Sequence, residues 1–115
     1  PATVNNLVFL VNSAREIIGN DFIWSVCAAG RHQFTMGNLA LLMGGNTRVG
    51  LEDNIYYSRG VLAETNAQFV DRIVRISREY GREIATPAEA RDILSIKGKL
   101  ISSYEFVREF RPSQP

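Results

Sequence analysis

Apolar residues recur at three- and four-residue spacings through residues 3–18, where Leu7, Leu10, Val11, Ala14, Ile17 and Ile18 share one face of a helix. Thr3 stands where its cap belongs and Gly19 where it should stop. The pattern then changes. Phe22 to Ala29 (FIWSVCAA) is a short apolar run with aromatic and β-branched members between Asp21 and Gly30, which predicts a strand buried on both faces. From Arg31 to Met43 the residues Phe34, Met36, Leu39, Ala40, Leu42 and Met43 return to helical spacing, and Gly44, Gly45 and Asn46 end it. Thr47 to Glu52 (TRVGLE) predicts a second strand. Thr65-Asn66-Ala67-Gln68 has the form of a capping box ahead of Phe69, Val70, Ile73, Val74, Ile76 and Tyr80, with Gly81 as the stop. Thr86-Pro87-Ala88-Glu89 starts a further short helix running to about Ile96, with proline at the first helical position.

The order is therefore helix, strand, helix, strand, helix, helix. Two buried strands joined by a crossover helix describe a parallel βαβ unit. Two parallel strands alone leave a row of unpaired backbone groups on each outer edge. Either other copies of the chain supply the missing strands, or the chain is the C-terminal portion of a (β/α)8 TIM barrel. Residues 1–98 would form that part of the barrel and 99–115 a tail or extension. The tail holds Tyr104, Phe106, Val107 and Phe110, too apolar for a purely solvated segment.

The length of 115 residues suits one modest domain. A composition of 45% hydrophobic and 22% charged residues is that of an ordinary globular protein. The net charge of +1 argues against a nucleic-acid binder, and no stretch of apolar residues is long enough to span a membrane. Residues 1–57 carry three basic and four acidic side chains, and 58–115 carry ten and eight. Signs are interspersed in the second half, so Arg72, Arg75, Arg78 and Arg82 read as the solvated face of a helix. Cys27 is the sole cysteine, which excludes an internal disulfide and makes a reducing cytoplasm the default. In its apolar run it reads as inert filler. His32 is the sole histidine, so a metal site would draw on carboxylates or on ligands from outside these residues.

The chemistry gathers in Gly44-Gly45-Asn46-Thr47-Arg48-Val49-Gly50-Leu51-Glu52-Asp53-Asn54. In an extended strand Arg48, Gly50 and Glu52 point to one face, with Gly50 leaving room between the charges, while Val49 and Leu51 point to the other. A charged pair flanking a void at the C-terminal end of a parallel strand is where substrates bind in barrels. Asp53 and Asn54 follow in the loop, able to swing toward the same cavity. The competing reading is a small non-catalytic, self-associating α/β module in which Arg48 and Glu52 form a structural ion pair. Gly30-Arg31-His32, after the first strand, could offer N–H groups and a guanidinium to a carboxylate or phosphate, or could be a tight turn.

The run GGNTRVGLEDN, with Trp24-Ser25-Val26 and Ala29-Gly30-Arg31 before it and Asn66 and Ala85-Thr86-Pro87-Ala88-Glu89-Ala90-Arg91 after it, closely resembles the C-terminal part of the β-keto acid cleavage enzymes. This is the family of the 3-keto-5-aminohexanoate cleavage enzyme. The resemblance covers roughly residues 1–98. It implies a (β/α) barrel, a zinc ion, a β-keto acid and acetyl-CoA as substrates, and acetoacetate and a new CoA thioester as products. It further implies Glu52 as the zinc carboxylate, Asp53 as the base, Arg48 as the partner of that base, and a homo-oligomer; from their places on the strand and in the turns, Gly50, Asn54, Gly30 and Arg31 are the expected substrate contacts. The family's His-x-His zinc motif has no counterpart here, so those ligands are expected outside these 115 residues.

Overall fold

Thr3 is extended and its hydroxyl accepts the Asn6 N–H at 3.3 Å, so α1 (Val4–Ile18) begins at the expected cap. In the computed structural model, which describes residues 1–96, α1 leads to β1 (Ser25–Val26), a 3-10 turn at Gly30–His32, α2 (Gln33–Leu42) and β2 (Asn46–Thr47). An antiparallel hairpin follows, β3 (Tyr56–Ser58) and β4 (Val61–Leu62), then α3 (Asn66–Glu79) and α4 (Pro87–Ile93). The chain divides into two units, Pro1–Ile84 and Ala85–Pro115.

The expected βαβ unit is present: β1 and β2 pair in parallel, Ser25 opposite Asn46 and Val26 opposite Thr47, with α2 as the crossover. The Asn46 N–H donates to the Trp24 carbonyl at 2.8 Å, and the Arg48 N–H to that of Val26 at 2.9 Å. Both strands are shorter than the apolar runs that predict them. They are also covered on one face only among the described residues. Phe22, Trp24, Val26 and Ala28 are half-buried while Ile23, Ser25, Cys27 and Ala29 alternate with them in the open. No third strand joins this sheet among the described residues.

Helix α2 is the centre of the first unit, touching α1, both parallel strands and α3. Met36, Ala40 and Leu41 are buried on it, and the core is completed by Val11 of α1 and by Phe69 and Ile73 of α3. The Phe34 and Phe69 rings lie 5.6 Å apart between α2 and α3. Helix α2 ends as its glycines predict: Gly44 takes a left-handed φ of +86°, letting the Gly45 N–H reach the Ala40 carbonyl at 2.8 Å. Gly45 has a second duty. A Cβ on it would stand 2.6 Å from carbons of the Trp24 indole, so the ring lies flat on bare backbone.

Four expectations change. Of the α1 stripe only Val11 is buried; Leu10, Ile17 and Ile18, with Phe9, are more than 60% exposed. The capping box of α3 is displaced: the Thr65 hydroxyl accepts the Gln68 N–H, but the Gln68 carboxamide reaches back to the Glu64 N–H instead of the cap. Arg82 and Arg72 are not solvated. Arg82 donates to the Leu41 and Gly45 carbonyls at 2.9 and 2.6 Å, neutralising the orphan acceptors of the α2 C-terminus, where Arg15 also donates to Met43. Arg72 lies over the Phe34 ring, 4.1 Å from its centroid, and donates to the Tyr57 carbonyl. Finally, the β3–β4 hairpin has no counterpart in the expected order.

In the second unit the Thr86 box is complete. The Thr86 hydroxyl accepts the Glu89 N–H while the Glu89 carboxylate accepts the Thr86 N–H at 2.7 Å, which holds that carboxyl below its ordinary range. Helix α4 stops at Ile93, short of Ile96. The expected tail at 99–115 lies outside the described residues. No helix among the described residues is long and apolar enough to cross a membrane.

The Trp24–Gly45 contact yields a direct test. Gly45→Ala should destabilise the protein by about 1–3 kcal/mol, since the added methyl overpacks a rigid indole against backbone. Trp24 is the sole tryptophan, so thermal unfolding followed by intrinsic fluorescence reads both Tm and the ring's surroundings. An unchanged Tm and emission maximum would disprove the contact.

Candidate active site

Beyond Thr47 the chain leaves the sheet, and the alternation expected for Arg48, Gly50 and Glu52 ends there. The Gly50 carbonyl accepts from the Asp53 and Asn54 N–H groups at 3.3 and 3.2 Å, folding residues 50–54 into a turn. Side chains from elsewhere fix the turn. Gln33, 1% exposed at the start of α2, donates to the Gly50 carbonyl at 2.9 Å. Asn66, at the start of α3, accepts the Leu51 N–H at 2.7 Å. The Gly30 N–H donates to the Asp53 carbonyl at 2.7 Å. The room expected at Gly50 is filled: a Cβ there would stand 3.2 Å from the Asn66 carboxamide oxygen.

This turn aims the Asp53 carboxylate back across the end of the sheet. The Arg48 guanidinium grips it, with Nη2 at 3.0 Å from both oxygens and Nε at 3.3 Å from Oδ2. This is the ion pair seen among the described residues, so the Arg48–Glu52 pair of the competing reading is not formed. Cys27, on the open side just past β1, donates its thiol hydrogen to Asp53 Oδ2 at 3.2 Å. The side chain of Asp53 is 15% exposed and that of Arg48 61%. The Cys27 thiol, followed by Arg48, holds the Asp53 carboxyl below its ordinary value, against the effect of partial burial. The same hydrogen bond, with burial, pushes the Cys27 thiol up. Asp53 is thus an ionised acceptor held from two sides.

The remaining predicted residues separate. Glu52 is exposed at the tip of the same turn, one residue from Asp53. Among the described residues no group of three His, Cys, Asp or Glu side chains could hold a metal ion. Asn54 is buried and spends its amide on the Tyr56 backbone, donating to its carbonyl at 2.7 Å and accepting its N–H at 3.0 Å. Gly30 serves the Asp53 backbone, and Arg31 faces away, onto a cleft shared with the hairpin. Three contributors escape the sequence reading. Cys27 is hidden by its apolar neighbours, Gln33 looks like an ordinary helix-start residue, and Asn66 looks like part of a cap.

An α/β chain that fixes an ionised carboxylate at the end of parallel strands has the make-up of an acid–base enzyme. The family model for beta-keto acid cleavage enzyme matches residues 1–96, and the chain belongs to that family. It is 51% identical over 96 residues to a 3-keto-5-aminohexanoate cleavage enzyme of Fusobacterium nucleatum, and 46% over 95 residues to one of Acetoanaerobium sticklandii. It is 39% identical over 90 residues to a 3-oxoadipate:acetyl-CoA acetyltransferase of Cupriavidus necator. These matches take in 84%, 83% and 78% of this chain but 34%, 33% and 31% of the relatives. The chain thus spans about a third of the length of the curated relatives it matches.

The thiol–carboxylate contact is testable. Ionising Cys27 would set a thiolate against the Asp53 carboxylate, so its alkylation by iodoacetamide at pH 8 should be slower than that of a free exposed thiol. Asp53→Asn should speed the reaction, and Arg48→Ala should slow it further by removing the opposing positive charge. Equal rates for the parent protein and Asp53→Asn would show that the two side chains do not touch.

Proposed function

We propose that the protein cleaves a β-keto acid by acyl transfer with acetyl-CoA, giving acetoacetate and a new CoA thioester. The observation that carries this reading is the Asp53 carboxylate held ionised by Arg48 and Cys27 beside Glu52, in a chain of this family. The names of its relatives support the substrates, since they include a 3-keto-5-aminohexanoate cleavage enzyme and an acetyl-CoA acetyltransferase acting on 3-oxoadipate.

Asp53 is the general base for a carbon-bound proton beside the keto group. A depressed pKa guarantees the ionised form at neutral pH and makes the carboxylate a weak base, so it suits only a carbon already acidified by a polarised ketone. Arg48 fixes both carboxylate oxygens and so the direction of attack, and the 61% exposure of its side chain leaves it able to meet an anionic substrate as well. Gln33, Asn66 and Gly30 hold the turn that carries Asp53 and exclude drift of the base. Glu52 would be the one carboxylate this chain gives to a zinc ion, whose part when bound is to polarise the keto oxygen as a Lewis acid. The competing non-catalytic module required an Arg48–Glu52 pair, and Arg48 is engaged with Asp53.

The same reading makes this chain the C-terminal portion of a (β/α)8 TIM barrel, to which other strands and the remaining zinc ligands are added. Three observations support it: the outer edges of β1 and β2 are unpaired among the described residues, the Cys27 side of β1 is open, and the Phe9, Leu10, Ile17 and Ile18 side chains of α1 are bare.

Two substitutions in the full-length protein divide the roles. Glu52→Gln should lower zinc content, measured by atomic emission, before it lowers Tm; unchanged zinc and activity would leave Glu52 without a part in the site. Asp53→Asn should keep its zinc and lose kcat by about 10²-fold or more. Arg48→Lys should impair the same step, since an ammonium cannot make the planar two-pronged contact. Loss of zinc from Asp53→Asn would make both carboxylates metal ligands and remove the proposed base.

A further inference from the structure

The first unit contains a second concave feature that the acid–base chemistry leaves unused. A cleft of about 780 Å³ lies between the start of α2, the β3–β4 hairpin and α3. Arg31, Arg59 and Arg72 all line it, and none of its lining residues is a carboxylate. In a chain whose net charge is +1 this is a marked local excess of positive charge, and none of the three forms an ion pair among the described residues. The walls between the guanidiniums are aromatic: Phe34, Tyr56 and Tyr57. One of the cations is fixed in advance. Arg72 stands 4.1 Å from the Phe34 centroid and 5.1 Å from that of Tyr57, and its bond to the Tyr57 carbonyl ties α3 to the hairpin.

The cleft adjoins the site already described. Asn54, next in sequence to Asp53, is on its lining, and Arg31 follows Gly30, whose N–H holds the Asp53 carbonyl. The volume falls in the range of small-molecule pockets, far more than the carboxylate of a short keto acid needs. Guanidiniums match phosphate oxygens in pairs, and aromatic faces accept a flat base. The combination suits an adenine nucleotide better than it suits a second carboxylate.

Resting on the acetyl-CoA reading above, we propose that this cleft binds the phosphates and adenine of the CoA co-substrate, with Arg31 and Arg59 on the phosphates and Tyr56 and Tyr57 beside the base. The thioester end then reaches back past Asn54 toward Asp53. Arg72 is a positioning residue, holding the hairpin in place.

Arg31→Ala and Arg59→Ala in the full-length protein test this, since both side chains are exposed and neither bonds to backbone among the described residues. Each should raise the KM for acetyl-CoA by about 10-fold or more, the loss expected for one charge-assisted contact. The KM for the keto acid, the Tm, and turnover with S-acetylpantetheine, which lacks the nucleotide, should stay at parental values. Arg59→Lys should recover part of the loss. An unchanged KM for acetyl-CoA, an equal loss with both thioesters, or a raised KM for the keto acid would overturn the assignment while leaving the acyl-transfer reading in place. Calorimetric binding of desulfo-CoA separates the remaining cases. If the parent protein turns over no thioester yet binds desulfo-CoA more tightly than both variants, the cleft assignment stands and the acyl-transfer reading falls. If the parent does not bind desulfo-CoA, the assignment falls.

Discussion

The backbone of residues 50–54 has left the sheet and must find hydrogen-bond partners elsewhere, and the site is organised around that requirement. An unpaired peptide group in a half-buried turn is costly. The Gly50 carbonyl is met by Gln33, the Leu51 N–H by Asn66 and the Asp53 carbonyl by Gly30. These three anchors belong to the start of α2, the start of α3 and the end of the segment after β1. The position of the Asp53 carboxylate therefore inherits the packing of two helices, secured by Phe34 against Phe69 and by the fully buried Phe69 and Ala40. A carboxylate held this way does not depend on one element alone, because each anchor acts on a different peptide group.

Features governed by neighbours in sequence were legible. Thr3, Thr86, Gly44 and Gly81 mark helix ends through bonds that span a few residues, and the parallel pairing follows from two apolar runs with a helix between them. What escaped depends on chain folding back over longer separations. An apolar run such as FIWSVCAA has the same appearance whether one face is covered or two. Extended alternation through Arg48, Gly50 and Glu52 is a sound reading only while the strand lasts, and the turn at Gly50 ends it. The Cys27 contact crosses 26 residues and exists because β1 and β2 end side by side before Asp53 turns back. Arg48 could be read as a partner for a nearby carboxylate, but the choice of Asp53 over Glu52 is made by that turn. The hairpin was missed because its strands are short, although an Arg-Gly pair between aromatic and β-branched residues is a fair turn signal.

The arginines show why a charge pattern underdetermines its use. Along α3 and beyond it, Arg75 and Arg78 are exposed, while Arg72 stacks on an aromatic ring and Arg82 satisfies the last carbonyls of α2. All four sit at helix-like spacing with acidic residues between them. The difference lies in what stands opposite: acceptors and rings in two cases, water in the others. Arg82 also joins α2 to the segment after α3, so a side chain that looks like solubilising charge closes the first unit.

Asn54 carries a consequence for how such a chain can change over evolutionary time. Its buried carboxamide bonds both backbone groups of Tyr56, forming a rigid joint between the turn bearing Asp53 and the exposed hairpin that follows. Upstream of the joint, the turn holds the Asp53 carboxylate between Arg48 and Cys27. Downstream of it, the tip at Arg59 and Gly60 lies in the open, where insertions and substitutions are absorbed without being transmitted back. The joint thereby separates a stretch pinned at several points from one whose tip is free, so that the hairpin can change in sequence while the Asp53 geometry is inherited intact.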